Sequence, residues 1–172
     1  MFTNAGGGYS HWRDIALTRW RPDTTLDNWG HWLYIQDCDD DALWSATLQP
    51  TLVPPPGDGA ISFFPHKVQW RRRDRDIVTH ADVFLAPDDD VEIRRYRITN
   101  DSERQRHLRF TGYAEVVLGD EAADLRHQAF SKLFVESEYL APYKALLFRR
   151  RPRSHSDEQI LLAHSLFVDL SN

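Results

Sequence analysis

The clearest pattern of hydrophobic and polar positions lies between residues 67 and 118. Short segments rich in β-branched and aromatic residues alternate there with polar turns, which is typical of successive β-strands. The predicted strands are Val68–Arg71, Ile77–Leu85, Val91–Thr99 and Leu108–Leu118. Apolar and charged side chains partly alternate within Val91–Ile98, as expected for a sheet with one buried face and one wet face. The pattern predicts a meander of antiparallel strands.

The rest of the chain gives weaker signals. Pro54–Gly59 can sustain neither a helix nor a central strand, so it is predicted to be a surface connection within one domain. Asp120–Arg126 is predicted to form a short turn or helix. Two further strands are predicted at Leu133–Val135 and Ala145–Phe148, and Ile160–Val168 is read as another strand or a short helix.

Composition sets the broad class of the protein. With 172 residues, 41% of them hydrophobic, the chain can bury a substantial core, and we expect one domain over residues 1–172. A formal charge of -5 from interleaved acidic and basic residues argues against binding nucleic acid or an anionic membrane surface. No apolar run approaches the roughly 20 residues that span a bilayer, and the start has no signal-peptide pattern, so we expect a cytoplasmic chain.

The residues give no support for a metal ion or another cofactor. Cys38 is the only cysteine, so no internal disulfide is possible. The histidines lack the close spacing of a zinc site. The acidic clusters at residues 37–41 and 88–90 lack the spaced ligands of a calcium loop, so they are predicted to be solvated turns. We therefore expect neither metal nor cofactor.

Seven Trp and Tyr side chains lie within the first 44 residues: Tyr9, Trp12, Trp20, Trp29, Trp32, Tyr34 and Trp44. Aromatic walls with a few polar groups are typical of small-ligand sites, and the apolar faces of sugar rings stack on such walls. For any single Trp, packing in a sandwich core is the stronger interpretation. Both interpretations stay open from the residues alone.

The glycine loop Gly6–Ser10 and the run Thr18–Asp23 are the most distinctive segments. Glycines let the main chain approach a ligand closely, although a flexible tail is the simpler interpretation of the loop alone. Between and within these segments lie groups suited to sugar rings and hydroxyls: Tyr9, Trp12, Arg13, Asp14, Arg19, Trp20, Arg21 and Asp23.

Taken in order along the chain, several motifs resemble the N-terminal part of the glycoside hydrolase family 94 phosphorylases. They are most similar to the phosphorylase-like C-terminal region of cyclic β-1,2-glucan synthases. The motifs are Thr3–Ser10, Thr18–Asp23, Trp44–Ser45, Gln49–Thr51, Glu92–Arg95, Tyr113–Leu118, Phe130–Val135 and Arg150–Arg153. Together they cover nearly the whole chain.

The resemblance implies an all-β, antiparallel sandwich of the galactose-mutarotase-like, or super-sandwich, kind, incomplete within this chain. It also implies β-glucan chemistry, in which phosphate cleaves a β-glycosidic bond with inversion. In this family the catalytic groups lie on a later helical barrel, so no catalytic residue is assigned here. The loop and the run are expected near the glucan site or a subunit contact, with these substrate-binding candidates: Tyr9, Ser10, Arg19, Trp20, Arg21 and Asp23.

Three functional hypotheses remain. The first is a sandwich-domain fragment of a cyclic β-1,2-glucan synthase or related phosphorylase, inactive by itself. Its expected partners are a β-glucan or other sugar, the helical-barrel catalytic domain of the parent enzyme, and a second copy of the chain in a homo-oligomer. Anchoring of the parent in the inner membrane is compatible with this hypothesis. The second is an autonomous aldose epimerase using a His and a carboxylate. The third is a glucan-binding or assembly module.

Overall fold

A computed structural model describes residues 1–23, 25–57, 59–152 and 159–169 of the chain. Strands predominate there, and every strand pair is antiparallel. The strands are β1 (His11–Trp12), β2 (Ile15–Thr18), β3 (His31–Asp37), β4 (Leu43–Ser45), β5 (Ala60–Phe64), β6 (Lys67–Asp74), β7 (Ile77–Leu85), β8 (Glu92–Asn100), β9 (Leu108–Ala114), β10 (Val116–Gly119), β11 (Val135–Leu140), β12 (Ala145–Arg150) and β13 (Leu161–Ser165). The predicted all-β class is confirmed.

Helical structure in the described residues is short. Helix α1 spans Glu121–Arg126 and α2 spans Gln128–Lys132, and a 3-10 turn covers Ala141–Tyr143. The Asp120 side chain caps α1 by accepting a hydrogen bond from the amide of Ala123 at 2.7 Å. None of these helices is long and apolar enough to cross a bilayer.

The chain divides into two compact units. The first unit contains Met1–Tyr9 and Trp20–Ala114, and the second contains Ser10–Arg19 together with the described part of Glu115–Asn172. The chain passes from one unit to the other after Tyr9, after Arg19 and after Ala114. The expectation of one domain over the whole chain stays a prediction.

Two sheets form the first unit, one in the order β5-β6-β7-β8 and the other in the order β4-β3-β9. Strands β6, β7 and β8 follow one another as predicted, because each contains β-branched and aromatic residues and polar turns separate them. The fourth predicted strand does not continue the meander. Leu108–Ala114 pairs instead with β3, and β10 belongs to the second unit, so one predicted strand is in fact two.

The core of the first unit lies between its two sheets. Ile35 on β3 and Trp44 on β4 pack with Ile77 on β7, and these three side chains are at most 2% exposed. Tyr96 and Ile98 on β8 pack against the same cluster. Side chains from facing sheets therefore meet in one apolar layer, which is the packing that defines a sandwich.

The second unit has two three-stranded sheets, ordered β1-β2-β10 and β11-β12-β13, with α1 and α2 between β10 and β11 in sequence. The short helix predicted near residues 120–126 is confirmed, and Ile160–Val168 contains a strand, β13. Ala145–Phe148 lies within β12 as predicted. Leu133 and Phe134 were wrongly predicted to be strand, because α2 and its turn occupy that stretch.

Candidate functional site

The predicted sugar-contact residues are divided between the two units. Tyr9, Trp20, Arg21 and Asp23 lie in the first unit, whereas Ser10 and Arg19 lie in the second. The division falls at Tyr9–Ser10 and Arg19–Trp20, which are points where the chain crosses from one unit to the other. Each group is therefore described within its own unit.

Residues 6–9 of the glycine loop are a folded part of the first unit. Amides of Thr3 and Gly8 donate to the carbonyls of Gly7 and Trp29, at 2.8 and 2.9 Å. Gly6, Gly7 and Gly8 are buried. Gly8 has φ 145°, and a Cβ placed there would lie 2.0 Å from the carbonyl oxygen of Met1. The loop needs glycine for close packing of the main chain, and the flexible-tail interpretation is wrong.

Tyr9 and Trp20 form a half-buried aromatic pair. Their ring centroids lie 5.3 Å apart with an interplanar angle of 53°. The Arg21 guanidinium lies 5.7 Å from the ring centroid of Trp29, which places a cation beside a second aromatic surface. These four side chains give the first unit apolar faces and hydrogen-bond donors together.

Asp23 and Ser10 shape the local backbone. The Asp23 carboxylate accepts hydrogen bonds from the amides of Thr25 and Leu26, at 3.0 and 3.1 Å, and so closes a turn. In the second unit, the Ser10 amide donates to Oγ1 of Thr18 at 2.9 Å, and the Ser10 carbonyl accepts from the Leu17 amide. Both residues fix segments that carry other candidates.

Arg19 is a buried member of an ion-pair network in the second unit. It is 2% exposed, and its guanidinium donates to both Asp124 and Glu115. Glu115 also accepts from Nζ of Lys132 at 2.7 Å. The guanidinium of Arg19 is thus directed at protein carboxylates.

The acidic segment at residues 37–41 is only partly a solvated turn. Asp37 is fully buried and pairs with Arg106, which was not predicted. Asp39 pairs with His107, whose Nδ1 lies 2.9 Å from Oδ1 of the aspartate, and this pair is exposed. The aldose epimerase hypothesis needs a His and a carboxylate, but this pair lies outside the two cavities described next. Among the described residues, no cluster of His, Cys, Asp and Glu could hold a metal ion.

Two cavities differ strongly in size. The cavity in the first unit has a volume of about 10 Å³, the space of roughly one water molecule. The cavity in the second unit has a volume of about 430 Å³, within the range of small-ligand pockets of roughly 300–1,000 Å³. This larger cavity is lined by three of the residues that the sequence indicated as suited to binding sugars: Trp12, Arg13 and Asp14.

The facing sheets and their apolar layer define an antiparallel β-sandwich domain. The sequence model of the glycosyl hydrolase 94 supersandwich domain matches residues 1–171. The chain belongs to this family, as its motifs suggested.

Relatives of known name agree with this assignment. The chain is 32% identical over 165 residues to cyclic beta-(1,2)-glucan synthase NdvB of Rhizobium meliloti (strain 1021), covering 95% of this chain and 6% of that protein. It is 26% identical over 145 residues to N,N'-diacetylchitobiose phosphorylase of Vibrio furnissii, covering 81% of this chain and 18% of the relative. The enzyme of the same name from Vibrio proteolyticus is 27% identical over 121 residues, which cover 67% of this chain and 15% of that protein. The chain therefore spans a small part of each relative.

Proposed function

We propose that this chain is the supersandwich part of a cyclic β-1,2-glucan synthase or of a related inverting β-glucan phosphorylase. In this role it contacts glucan or a partner subunit and has no turnover by itself. The observation that carries the proposal is the similarity to cyclic beta-(1,2)-glucan synthase over 95% of this chain. The reacting groups would belong to a helical barrel domain of the parent protein.

The environment of the buried carboxylates supports a role without catalysis. A general acid for glycoside cleavage needs a raised pKa so that it holds a proton near neutral pH. Burial opposes ionisation of Asp82, but hydrogen bonds from Arg95, Lys67 and Gln69 outweigh it and hold the pKa of Asp82 below its ordinary value. In the described residues, each buried aspartate contacts a basic side chain: Asp37, Asp74, Asp82 and Asp124.

The predicted contact residues of the first unit fit an edge of a glucan site. In this proposal Tyr9 and Trp20 offer an apolar face to a sugar ring, while Arg21 and Asp23 reach hydroxyl groups. Ser10 and Arg19 lie in the second unit. Because Arg19 is buried, its proposed role is to hold neighbouring residues in position rather than to contact the glucan.

The test combines an activity assay with a binding assay on the 172-residue chain. The chain is incubated with linear β-1,2-glucan and inorganic phosphate, and sugar 1-phosphate is measured. The Vibrio furnissii N,N'-diacetylchitobiose phosphorylase with N,N'-diacetylchitobiose serves as the positive control. We expect no sugar phosphate, but a calorimetric binding signal for the glucan that weakens in Trp20→Ala.

Two results would contradict the proposal in different ways. Robust phosphorolysis by the isolated chain would make it an enzyme in its own right. Absence of heat and of a fluorescence change with any β-glucan would contradict the glucan contact and leave a subunit contact or a purely structural role.

A further inference from the structure

The cavity of about 430 Å³ in the second unit lies beside the hairpin formed by β1 and β2. Its walls also include the end of β10, the start of α1 and the chain around β12 and β13. The residues that matter for its chemistry are Trp12, Arg13, Asp14, Leu118, Arg150 and Ile160. The cavity therefore combines an aromatic ring, aliphatic side chains and groups of both charges.

The hairpin turn presents a hydrogen-bond donor and an acceptor at the cavity. Trp12 pairs with Ile15, so Arg13 and Asp14 form the two-residue turn. Arg13 has φ 52°, and its Cζ lies 4.2 Å from the centroid of the Trp12 ring. This cation–π contact restricts the guanidinium, and a planar guanidinium beside a ring can still donate hydrogen bonds from its N–H groups. In the described part of the chain, neither Arg13 nor Asp14 makes a side-chain hydrogen bond or an ion pair.

A residue with an unusual backbone conformation also lines the cavity. Leu118 is fully buried and has φ 52°, a left-handed backbone conformation that is rare for a bulky residue. The pairing of β10 with β2 shifts register between Val116 and Gly119, around this residue. Such irregularities redirect side chains and occur often beside ligand sites. Leu118 thus belongs to the wall of the cavity, and its side chain is buried behind that wall.

The other cations at the cavity are engaged by the protein. Nη1 of Arg150 donates to the carbonyls of Val117 and Ser131, at 3.0 and 3.3 Å. Arg151 donates to the Leu133 carbonyl at 2.9 Å and pairs with Glu136. Because Asp14 adds negative charge beside Arg13, the turn offers both an acceptor and a donor. This arrangement suits a neutral ligand with several hydroxyl groups better than an anion.

We propose that this cavity binds one neutral hexopyranose unit of a β-glucan. The sugar ring contacts Trp12 and the aliphatic wall, Asp14 accepts hydrogen bonds from hydroxyl groups, and Arg13 donates to a hydroxyl oxygen. The glucan identity of the ligand rests on the proposed function above, whereas the sugar-binding role of the cavity rests on its own geometry.

The experiment is isothermal titration of the 172-residue chain with four probes. The probes are methyl β-glucopyranoside, a β-1,2-linked glucose disaccharide, N,N'-diacetylchitobiose and inorganic phosphate. We expect the two glucosides to bind and phosphate to give no signal at this cavity. Trp12→Ala and Asp14→Asn should each weaken glucoside binding about tenfold. Trp12→Ala removes the stacking surface, and Asp14→Asn removes the charged hydrogen-bond acceptor. Asp90→Asn, on an exposed turn of the other unit, is the matched carboxylate control.

The outcomes separate this inference from the proposed function. Loss of glucoside binding in Trp20→Ala but not in Trp12→Ala or Asp14→Asn would contradict sugar binding in this cavity and leave the proposed function intact. Binding of N,N'-diacetylchitobiose alone, lost in both cavity variants, would keep the cavity as a sugar site and contradict the glucan assignment. Phosphate binding that depends on Arg13, or no sugar binding at all, would overturn the inference. Asp14→Asn lies on an exposed turn, so it tests the cavity even if Trp12→Ala fails to fold.

Discussion

Arg19 donates from Nε and Nη2 to the two carboxylate oxygens of Asp124, at 2.7 and 2.8 Å, across 105 positions of the sequence. The two residues are 2% and 4% exposed. The Arg19 amide also donates to the carbonyl of Glu115 at 2.8 Å. Two-point pairing of this kind fixes both side chains in one orientation. Arg19 thus joins the early and late parts of the second unit.

Removing the cation from this network should destabilise the chain strongly. Arg19→Met leaves Asp124 buried without its bidentate partner, and we expect a loss of about 3–5 kcal/mol in the free energy of unfolding. Urea unfolding at neutral pH, followed by circular dichroism, measures this loss. Lys132→Met is the control, because Lys132 contacts Glu115 from a side chain that is 52% exposed. An exposed pair contributes at most about 1 kcal/mol, so equal losses in the two variants would contradict the prediction.

The glycine loop gives a second prediction, on sterics. Gly8→Ala should lower the thermal midpoint more than Gly57→Ala does. Both glycines have positive φ, at 145° and 138°, so an alanine is strained at either position. Of the two, only Gly8 would bring the new Cβ against main chain, at 2.0 Å from the Met1 carbonyl oxygen, while no atom of the described residues lies within 4 Å at Gly57. Matching shifts in the two variants would show that strain alone sets the cost.

The positions of many strands could be predicted from the local residue pattern. The pairing of strands that lie far apart in the sequence could not. The segment Ile77–Leu85 is rich in β-branched residues and bounded by charged turns, and its bounds match β7. The segment Leu108–Ala114 also has the pattern of a strand, but its partner is His31–Asp37, far earlier in the sequence. Which strand pairs with which depends on how the whole core packs, and local residue preferences carry no such information.

For the candidate site, the types of residue could be predicted, but not which side chains face the core and which stay exposed. Trp32 and Trp44 are 3% and 2% exposed and belong to the interior, so the core interpretation is right for these two. Tyr9, Trp12 and Trp20 are half-buried and keep exposed surface. A strand alternates its faces at each residue, and sequence near an irregular turn does not say which face meets the core. Trp12 in particular could not be assigned to a cavity because the other walls lie more than a hundred residues later.

Adjacent residues on β4 provide a third prediction, on the sandwich core. Trp44 is 2% exposed and Leu43, its neighbour, is 49% exposed on the opposite face. Trp44→Ala should cost about 3–5 kcal/mol because it opens a cavity between the two sheets of the first unit. Leu43→Ala should stay within about 0.5 kcal/mol. Chemical denaturation of both variants checks this, and a small loss for Trp44→Ala would contradict the packing of Trp44 between the sheets.

The buried pair of Asp37 and Arg106 should make stability depend on acid pH. Burial opposes ionisation of Asp37, but hydrogen bonds from the Arg106 side chain and the Asp39 amide outweigh it, so the pKa of Asp37 lies below its ordinary value of 3.8. The unfolded chain therefore takes up a proton at this position at a higher pH than the folded chain does. The stabilisation is fully present above the unfolded pKa and is lost as pH falls through the lower folded pKa.

Asp37→Asn should flatten the pH dependence of the free energy of unfolding below about pH 4, since the variant has no proton to take up at this position. Urea unfolding measured in steps from neutral pH down to about pH 2 gives the two curves. Asp89→Asn, on an exposed turn between β7 and β8, controls for the loss of one carboxylate and should keep the wild-type slope. If Asp37→Asn keeps that slope as well, acid sensitivity does not arise from this pair, because the folded and unfolded chains would then bind protons alike at Asp37.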